Sequence, residues 1–245
     1  MLNDKITADY SKIVSSHELD AEAQRANACP AIFNSIRHRY PTFKGCIAEA
    51  DLGLGCALPF EHANLKEGDL VADLGCAAGI DSFIMADLAG TKSQVFGFYI
   101  TPSLIKRANA IKNNFGIEQV QFATADITEI PLEDDSVSVC TSNGVFSLIK
   151  DLEAVFKEIK RILRPGGVFC LSDINRKTNF SEVDYAQIKS YTGCLNGIRH
   201  QNSYLDHIKN AGFSSVELIG ERLVEFPNHI SKTQGVYIST FKITL

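Results

Sequence analysis

The stretch Val71-Ala72-Asp73-Leu74-Gly75-Cys76-Ala77-Ala78-Gly79-Ile80-Asp81 decides the fold. Apolar residues with an acid run into a turn of small residues, and a helical segment follows from Ser82 to Leu88. This reads as a buried parallel strand whose carboxyl end opens onto a ligand, with small side chains letting the ligand approach the backbone. The turn is not the dinucleotide fingerprint G-x-G-x-x-G. Counted from Gly75, Ala77 and Ile80 stand where glycine is needed. Without the glycines that admit a pyrophosphate, the expected ligand is a nucleoside without phosphates, and a nicotinamide dehydrogenase is disfavoured.

Outward from this point, short apolar runs alternate with helical periodicity, the pattern of βα units on a parallel sheet. The strands read as Leu70–Leu74, Gln94–Ile100, Val120–Thr124, Val137–Ser142 and Val168–Asp173. Helices fall at Ile80–Leu88, Pro102–Asn114 and Leu152–Ile162, the second entered through a Thr101 cap with proline in its first turn. Arg164-Pro165-Gly166-Gly167 reads as a helix stop and tight turn before the fifth strand. A helix at Ser203–Ala211 ends at Gly212. Strands at Ser215–Ile219, extending toward Phe226, and at Gly235–Thr244 then pair antiparallel. Residues 1–50 are polar and helix-prone, with a cap at Ser15-Ser16-His17-Glu18 and breaks at Pro30, Pro41 and Gly45. They read as a helical N-terminal cap, ahead of a domain over 51–245 with a lid-like insertion at about 175–202.

The 245 residues are 45% hydrophobic, enough for one large α/β domain. A net charge of −5 argues against a nucleic-acid partner. No apolar run approaches the ~20 residues of a membrane span, so the expected location is the cytoplasm. Seven cysteines at no zinc spacing suit a reduced compartment and no metal site.

Four motifs, in order and spacing, resemble the class I methyltransferases that use S-adenosylmethionine (SAM): Asp73-Leu74-Gly75-Cys76-Ala77-Ala78-Gly79, Ala125-Asp126-Ile127, Pro131-Leu132-Glu133-Asp134-Asp135-Ser136-Val137 and Leu163-Arg164-Pro165-Gly166-Gly167. The resemblance implies a Rossmann-like seven-stranded sheet, mostly parallel with an antiparallel C-terminal strand, and helices on both faces. Leu52-Gly53-Leu54-Gly55-Cys56, Gly79-Ile80-Asp81, Ile100-Thr101-Pro102, Ser142-Asn143, Leu171-Ser172-Asp173-Ile174 and Gly193-Cys194-Leu195-Asn196-Gly197 look more narrowly like the arsenite methyltransferase group. In that group thiols from three such segments organise trivalent arsenic. Cys56 and Cys194 match two of them, and Gly144 stands at the third. A soft thiolate pair suits a thiophilic acceptor. The family also ends its second strand with an acid that holds both ribose hydroxyls, whereas this chain has Tyr99. A phenol cannot bind a diol as a carboxylate does; losing one such bond costs about 1–3 kcal/mol, roughly 5- to 150-fold in affinity.

Carried over residue by residue, the resemblance implies a cofactor site of Asp73, Gly75, Cys76, Gly79, Tyr99, Ile100, Asp126, Ile127 and Asn143, with SAM bound and S-adenosylhomocysteine (SAH) as product. Asp73 would sit near the methionine ammonium, and Asp126 with Ile127 would read adenine. Cys56, Cys194 and Asn143 are the catalytic candidates, with His62, His200 and Asp173 as bases or acceptor-orienting groups and Cys29 and Cys46 as further thiols. Each has a plainer reading: turn caps for the acids, packing for the cysteines, structure for the histidines. Two rivals to a soft-acceptor enzyme remain open. One is a small-molecule carbon, oxygen or nitrogen methyltransferase; the other is a non-catalytic protein that binds SAM or another nucleoside.

Overall fold

A computed structural model describes residues 38–181, 197–224 and 235–245. The expected cap at residues 15–18, Cys29 and Cys194 lie outside the described residues, as do most of the proposed N-terminal unit and residues 182–196 of the lid. Residues 38–50 form two short 3-10 turns, Tyr40–Thr42 and Ala48–Ala50.

The described strands are β1 (Leu70–Leu74), β2 (Gln94–Tyr99), β3 (Val120–Thr124), β4 (Val137–Asn143), β5 (Leu163–Arg176), β6 (Arg199–His200), β7 (Ser215–Leu223) and β8 (Val236–Thr244). The helices are α1 (Ile80–Ala89), α2 (Pro102–Phe115), α3 (Leu152–Ile162) and α4 (Gln201–Ala211). The sheet order is β3-β2-β1-β4-β5-β8-β7. Pairings from β3 through β5 are parallel, and β8 runs antiparallel to both β5 and β7. The two-residue β6 adds an eighth strand beside the end of β5, a pairing too short to show in sequence periodicity.

Strand burial explains the topology. Val71 through Leu74 and Val137 through Ser142 are buried without alternation, because helices cover both faces of the sheet. Phe83, Ile84 and Met85 of α1 and Leu104, Ile105, Ala108 and Ile111 of α2 form one core with Tyr40, Leu58 and Phe60. Leu152, Val155, Phe156, Ile159 and Ile162 of α3 join Tyr204, Ile208 and Phe241 in the other. The spacing of those five apolar residues makes α3 the most amphipathic of the described helices, and Asp151 caps it by accepting from Ala154 N at 2.9 Å.

Two local readings change. Thr101 precedes α2, but its buried side chain makes no capping hydrogen bond. The turn at Arg164–Gly167 lies inside β5, not before it. Leu163 already pairs with Val137, and Val168 resumes pairing with Val139. The glycines that looked like a helix stop thus make a bulge, with Gly166 at φ 76°.

Arg161 on α3 ties this helix to the loop between β3 and β4. Its guanidinium donates to Ile130 O (2.9 Å) and Leu132 O (2.8 Å) and pairs with Glu158 (2.7 Å) and Asp134 (2.6 Å). Glu158 in turn accepts from Ile130 N at 2.6 Å, and Arg161 holds its carboxyl below the usual range. Arg161→Ala is expected to lower stability by about 1–3 kcal/mol, read as a drop in thermal melting temperature. An unchanged melting temperature would show that water replaces these contacts at no net cost.

Candidate active site

The carboxyl ends of β1, β2 and β4 surround two adjoining cavities that share Leu54, Gly75, Ala77 and Asn143. The larger, about 670 Å³, is lined on one side by Tyr99, Ile100, Ala125, Asp126 and Ile127. The smaller, about 380 Å³, reaches down to Tyr40, Asp73, Cys76 and Asp81.

The first turn is built by backbone. Gly75 N and Cys76 N both donate to Phe98 O, at 2.8 and 3.1 Å, which pins the turn to β2. Gly75 has φ 91°, and a Cβ there would lie 2.2 Å from Val145 Cγ2. Its missing side chain keeps the waist of the cleft open. Gly79 does not line either cavity. It caps α1 at φ 94°, and a Cβ there would lie 2.5 Å from Phe122 Cζ, so its role here is packing beneath the cleft.

Tyr99 is buried at the end of β2 and lines the larger cavity, with its carbonyl accepting from Ala125 N at 3.1 Å. Asp126 Oδ1 accepts from Thr128 N (3.0 Å) and Thr128 Oγ1 (2.8 Å). It therefore caps its own turn while also lining the larger cavity beside Ile127.

Asn143 sits between the cavities, and its amide is committed inside the protein. Nδ2 donates to Ala57 O and Asp81 Oδ2, both at 2.8 Å. Oδ1 accepts from Cys56 N (2.9 Å), Ala57 N (3.2 Å) and the Cys56 thiol (3.3 Å). It is a clamp that joins β4, α1 and the segment carrying Cys56. That arrangement leaves it little capacity to activate an acceptor.

Cys56 is buried, with Sγ also 3.6 Å from Ser172 O. A Cβ on Gly144 would lie 3.7 Å from that sulfur, so position 144 adjoins the thiol as the motif spacing suggests. Gly197, which closes the Gly-Cys-x-x-Gly motif, packs so tightly against the loop after β4 that a Cβ would overlap Ser147 O, at 1.6 Å. Among the other thiols, Cys140 and Cys170 are buried in strands, and burial pushes Cys170 up to about 12. Cys76 lines the smaller cavity but is also raised far above a reactive range, by burial and by Asp73. Cys46 is only partly buried and lines neither cavity.

The smaller cavity is acidic. Asp73 accepts from Ser82 Oγ at 2.5 Å, yet burial and the nearby Asp81 raise its pKa. Burial raises Asp81 as well, against the Asn143 hydrogen bond. Tyr40 is 2% exposed; burial first, then Asp81, raise its phenol. Asp173 is different. It lines neither cavity and accepts from the backbone N–H groups of Phe146 (2.5 Å), Ser147 (3.2 Å) and Ile174 (2.7 Å).

Neither His62 nor His200 lines either cavity. His62 is exposed in the Pro59–His62 turn. His200 caps α4, accepting from Asn202 N while its other ring nitrogen meets Lys177 O at 3.0 Å. Sequence reasoning did not find Tyr40, Leu54 or Val145. Asp81 was visible in Gly-Ile-Asp but carried no role. Tyr40 lies in no motif, and only the chain's wrap over β1 and α1 brings it to the cavity.

The sequence profile of the methyltransferase domain matches residues 65–235. An arsenite methyltransferase of Halobacterium salinarum is 37% identical over 171 residues, 69% of this chain and 43% of that protein. The chain spans about half the length of the curated relatives it matches. Among solved structures, an arsenic (III) S-adenosylmethionine methyltransferase from Chlamydomonas reinhardtii superposes with a TM-score of 0.64 at 22% identity, covering 88% of this chain and 73% of its own. Phosphoethanolamine N-methyltransferase 2 of Haemonchus contortus, in complex with S-adenosyl-L-methionine, gives 0.63 at 16% identity over 77% of this chain and 51% of its own. The likeness in structure is a likeness of fold, and the profile match spans well over half of the residues. The chain belongs to the methyltransferase-domain family.

Proposed function

We propose that this protein transfers a methyl group from SAM to a small-molecule acceptor, with trivalent arsenic or another soft, thiophilic species as the leading acceptor class. The observation that carries the reading is the single cleft that gathers Gly75, Tyr99, Ile100, Asp126 and Ile127 at the carboxyl edge of the sheet. Its shape admits a nucleoside against an unencumbered turn, and its acidic end suits a cation. The 37% identical arsenite methyltransferase supports the choice of acceptor. Cys56 beside Gly144, which lines the larger cavity, supports it too.

Bound SAM supplies an already activated methyl group on a sulfonium, so the protein's task is alignment and exclusion of water. Ile127 packs against the base, and Asp126 accepts from its exocyclic amine. Tyr99 offers one hydroxyl to the ribose. Gly75 admits the chain linking the nucleoside to its amino-acid end. Asn143 holds the Cys56 thiol at the acceptor side, and Leu148 and Ile149 close the wall against solvent. Cys194 would contribute the second sulfur. Seven cysteines at no zinc spacing fit a cytoplasmic, reducing setting.

Calorimetry of the reduced protein with SAM and SAH tests the cofactor. Micromolar binding is expected, and no binding of either would end the proposal. Arsenite-dependent SAH formation then tests the acceptor. Cys56→Ser is expected to reduce it at least about tenfold, as loss of a charged or covalent contact does, with SAH affinity retained. Full activity in that variant would favour a carbon, oxygen or nitrogen acceptor instead.

A further inference from the structure

Val145, Leu148 and Ile149 give the larger cavity an apolar wall, and all three belong to or flank the 3-10 turn Phe146–Leu148 between β4 and α3. A turn this short leaves most of its N–H and C=O groups to find partners elsewhere. Asp173 holds its leading end by accepting from Phe146 N and Ser147 N. Arg199 holds its trailing end, where the guanidinium donates to Ile149 O. Arg199 lies on β6 opposite Asn175 of β5, so its side chain leaves the sheet on the same face as that of Asp173, two residues earlier in β5. A carboxylate at the N–H end and a guanidinium at the C=O end supply the acceptor and the donor that the turn lacks, each as a charge-assisted bond. Two residues before Arg199, Gly197 packs against the middle of the same turn, at Ser147 O.

We propose that Arg199 is a positioning residue for cofactor binding: by holding Ile149 O, it sets the wall of Leu148 and Ile149 against the nucleoside. This rests on the proposed function, in which the larger cavity takes the nucleoside of SAM. Arg199 lines neither cavity, so it acts through the backbone that it holds. The same loop begins at Gly144, beside the Cys56 thiol, and Gly144 N donates to Ser172 O at 2.8 Å. One piece of backbone therefore runs from the acceptor side to the nucleoside wall, tied to β5 at one end and to β6 at the other.

The test is a double-mutant cycle on SAH affinity, measured by calorimetry for wild type, Arg199→Met, Ile149→Ala and the double variant, with thermal melts to check folding. Methionine keeps the length of the arginine stem and removes the donors. Arg199→Met is expected to weaken SAH about five- to thirtyfold and Ile149→Ala about three- to tenfold. The double variant should stay within about twofold of Arg199→Met, because the side chain that Arg199 positions is already gone. Arg199→Lys keeps one charged donor, so it should bind SAH within about fivefold of wild type; it takes the place of methionine in the cycle if that variant does not fold. Losses that multiply in the double variant, or unchanged SAH affinity in Arg199→Met, would mean that Arg199 only fastens β6. Either result overturns the inference and leaves the cofactor reading standing. Wild type binding neither SAM nor SAH would sink the cofactor reading, and the inference with it.

Discussion

Replacing Asp173 with alanine is expected to lower the melting temperature by roughly 5–15 °C and to remove nucleoside binding with it. The carboxylate sits toward the carboxyl end of β5, 1% exposed, and gathers the N–H groups of Phe146, Ser147 and Ile174. Alanine leaves all three donors buried without an acceptor. That penalty is about 2–4 kcal/mol once partial hydration is allowed for, and each kcal/mol is worth about 2–4 °C in a chain of this size. The first two donors belong to the loop that supplies Val145, Leu148 and Ile149 to the larger cavity, so the binding wall is lost along with the stability. The effect depends on pH in a defined direction. Burial raises Asp173 to about 6 from an ordinary 3.8. A group raised in the folded state contributes fully below its unfolded value and loses that contribution as pH rises through about 6. The gap between wild type and variant is therefore wider at pH 5 than at pH 8. A melting series across that range checks it, and a gap that widens with pH would contradict the account.

Gly75→Ala is the second large effect, and it acts on binding more than on folding. The added methyl would sit 2.2 Å from Val145 Cγ2, at a residue with φ 91°, on the waist shared by both cavities. The backbone conformation alone costs about 1–2 kcal/mol for a residue with a Cβ. Relieving the clash moves Val145 or the turn into the space a ligand needs. At least a hundredfold loss of SAH affinity is expected, equivalent to about 3 kcal/mol. The double variant Gly75→Ala, Val145→Ala removes the obstructing methyl groups and should recover about a tenth of that loss or more. If the double variant binds no better than the single one, the turn's backbone, not the Val145 contact, limits binding.

The parallel part of the sheet was legible because each of its strands is a short buried run between turn residues, and periodicity placed β1, β3 and α3 at their observed ends. What was not legible depends on contacts distant in sequence. The bulge in β5 looks like a loop when Arg164–Gly167 is read alone, since only pairing of Leu163 with Val137 makes it part of a strand. The same limit applies in the cleft. Gly75, Tyr99 and Asp126 came from the motifs of the family resemblance, and they line the larger cavity because the topology brings the carboxyl ends of their strands together. Gly79 was grouped with them because glycines in such a turn look alike, and the Phe122 ring that decides its role is 43 residues away. Asn143 looked like a group waiting for a substrate because its amide partners lie 62 to 87 residues upstream. Tyr40 shows the limit at its plainest. Nothing in its neighbours announces a buried phenol beside a carboxylate.

The clamp made by Asn143 also has a consequence during synthesis. The segment bearing Cys56 leaves the ribosome first, but the amide that will hold its backbone and accept from its thiol is 87 residues behind. At about 5–20 residues per second, that leaves roughly 4–17 s in which the sulfur has no amide to meet. Chain elongation, as much as packing, thus sets how long this thiol is open to oxidants before the finished fold encloses it.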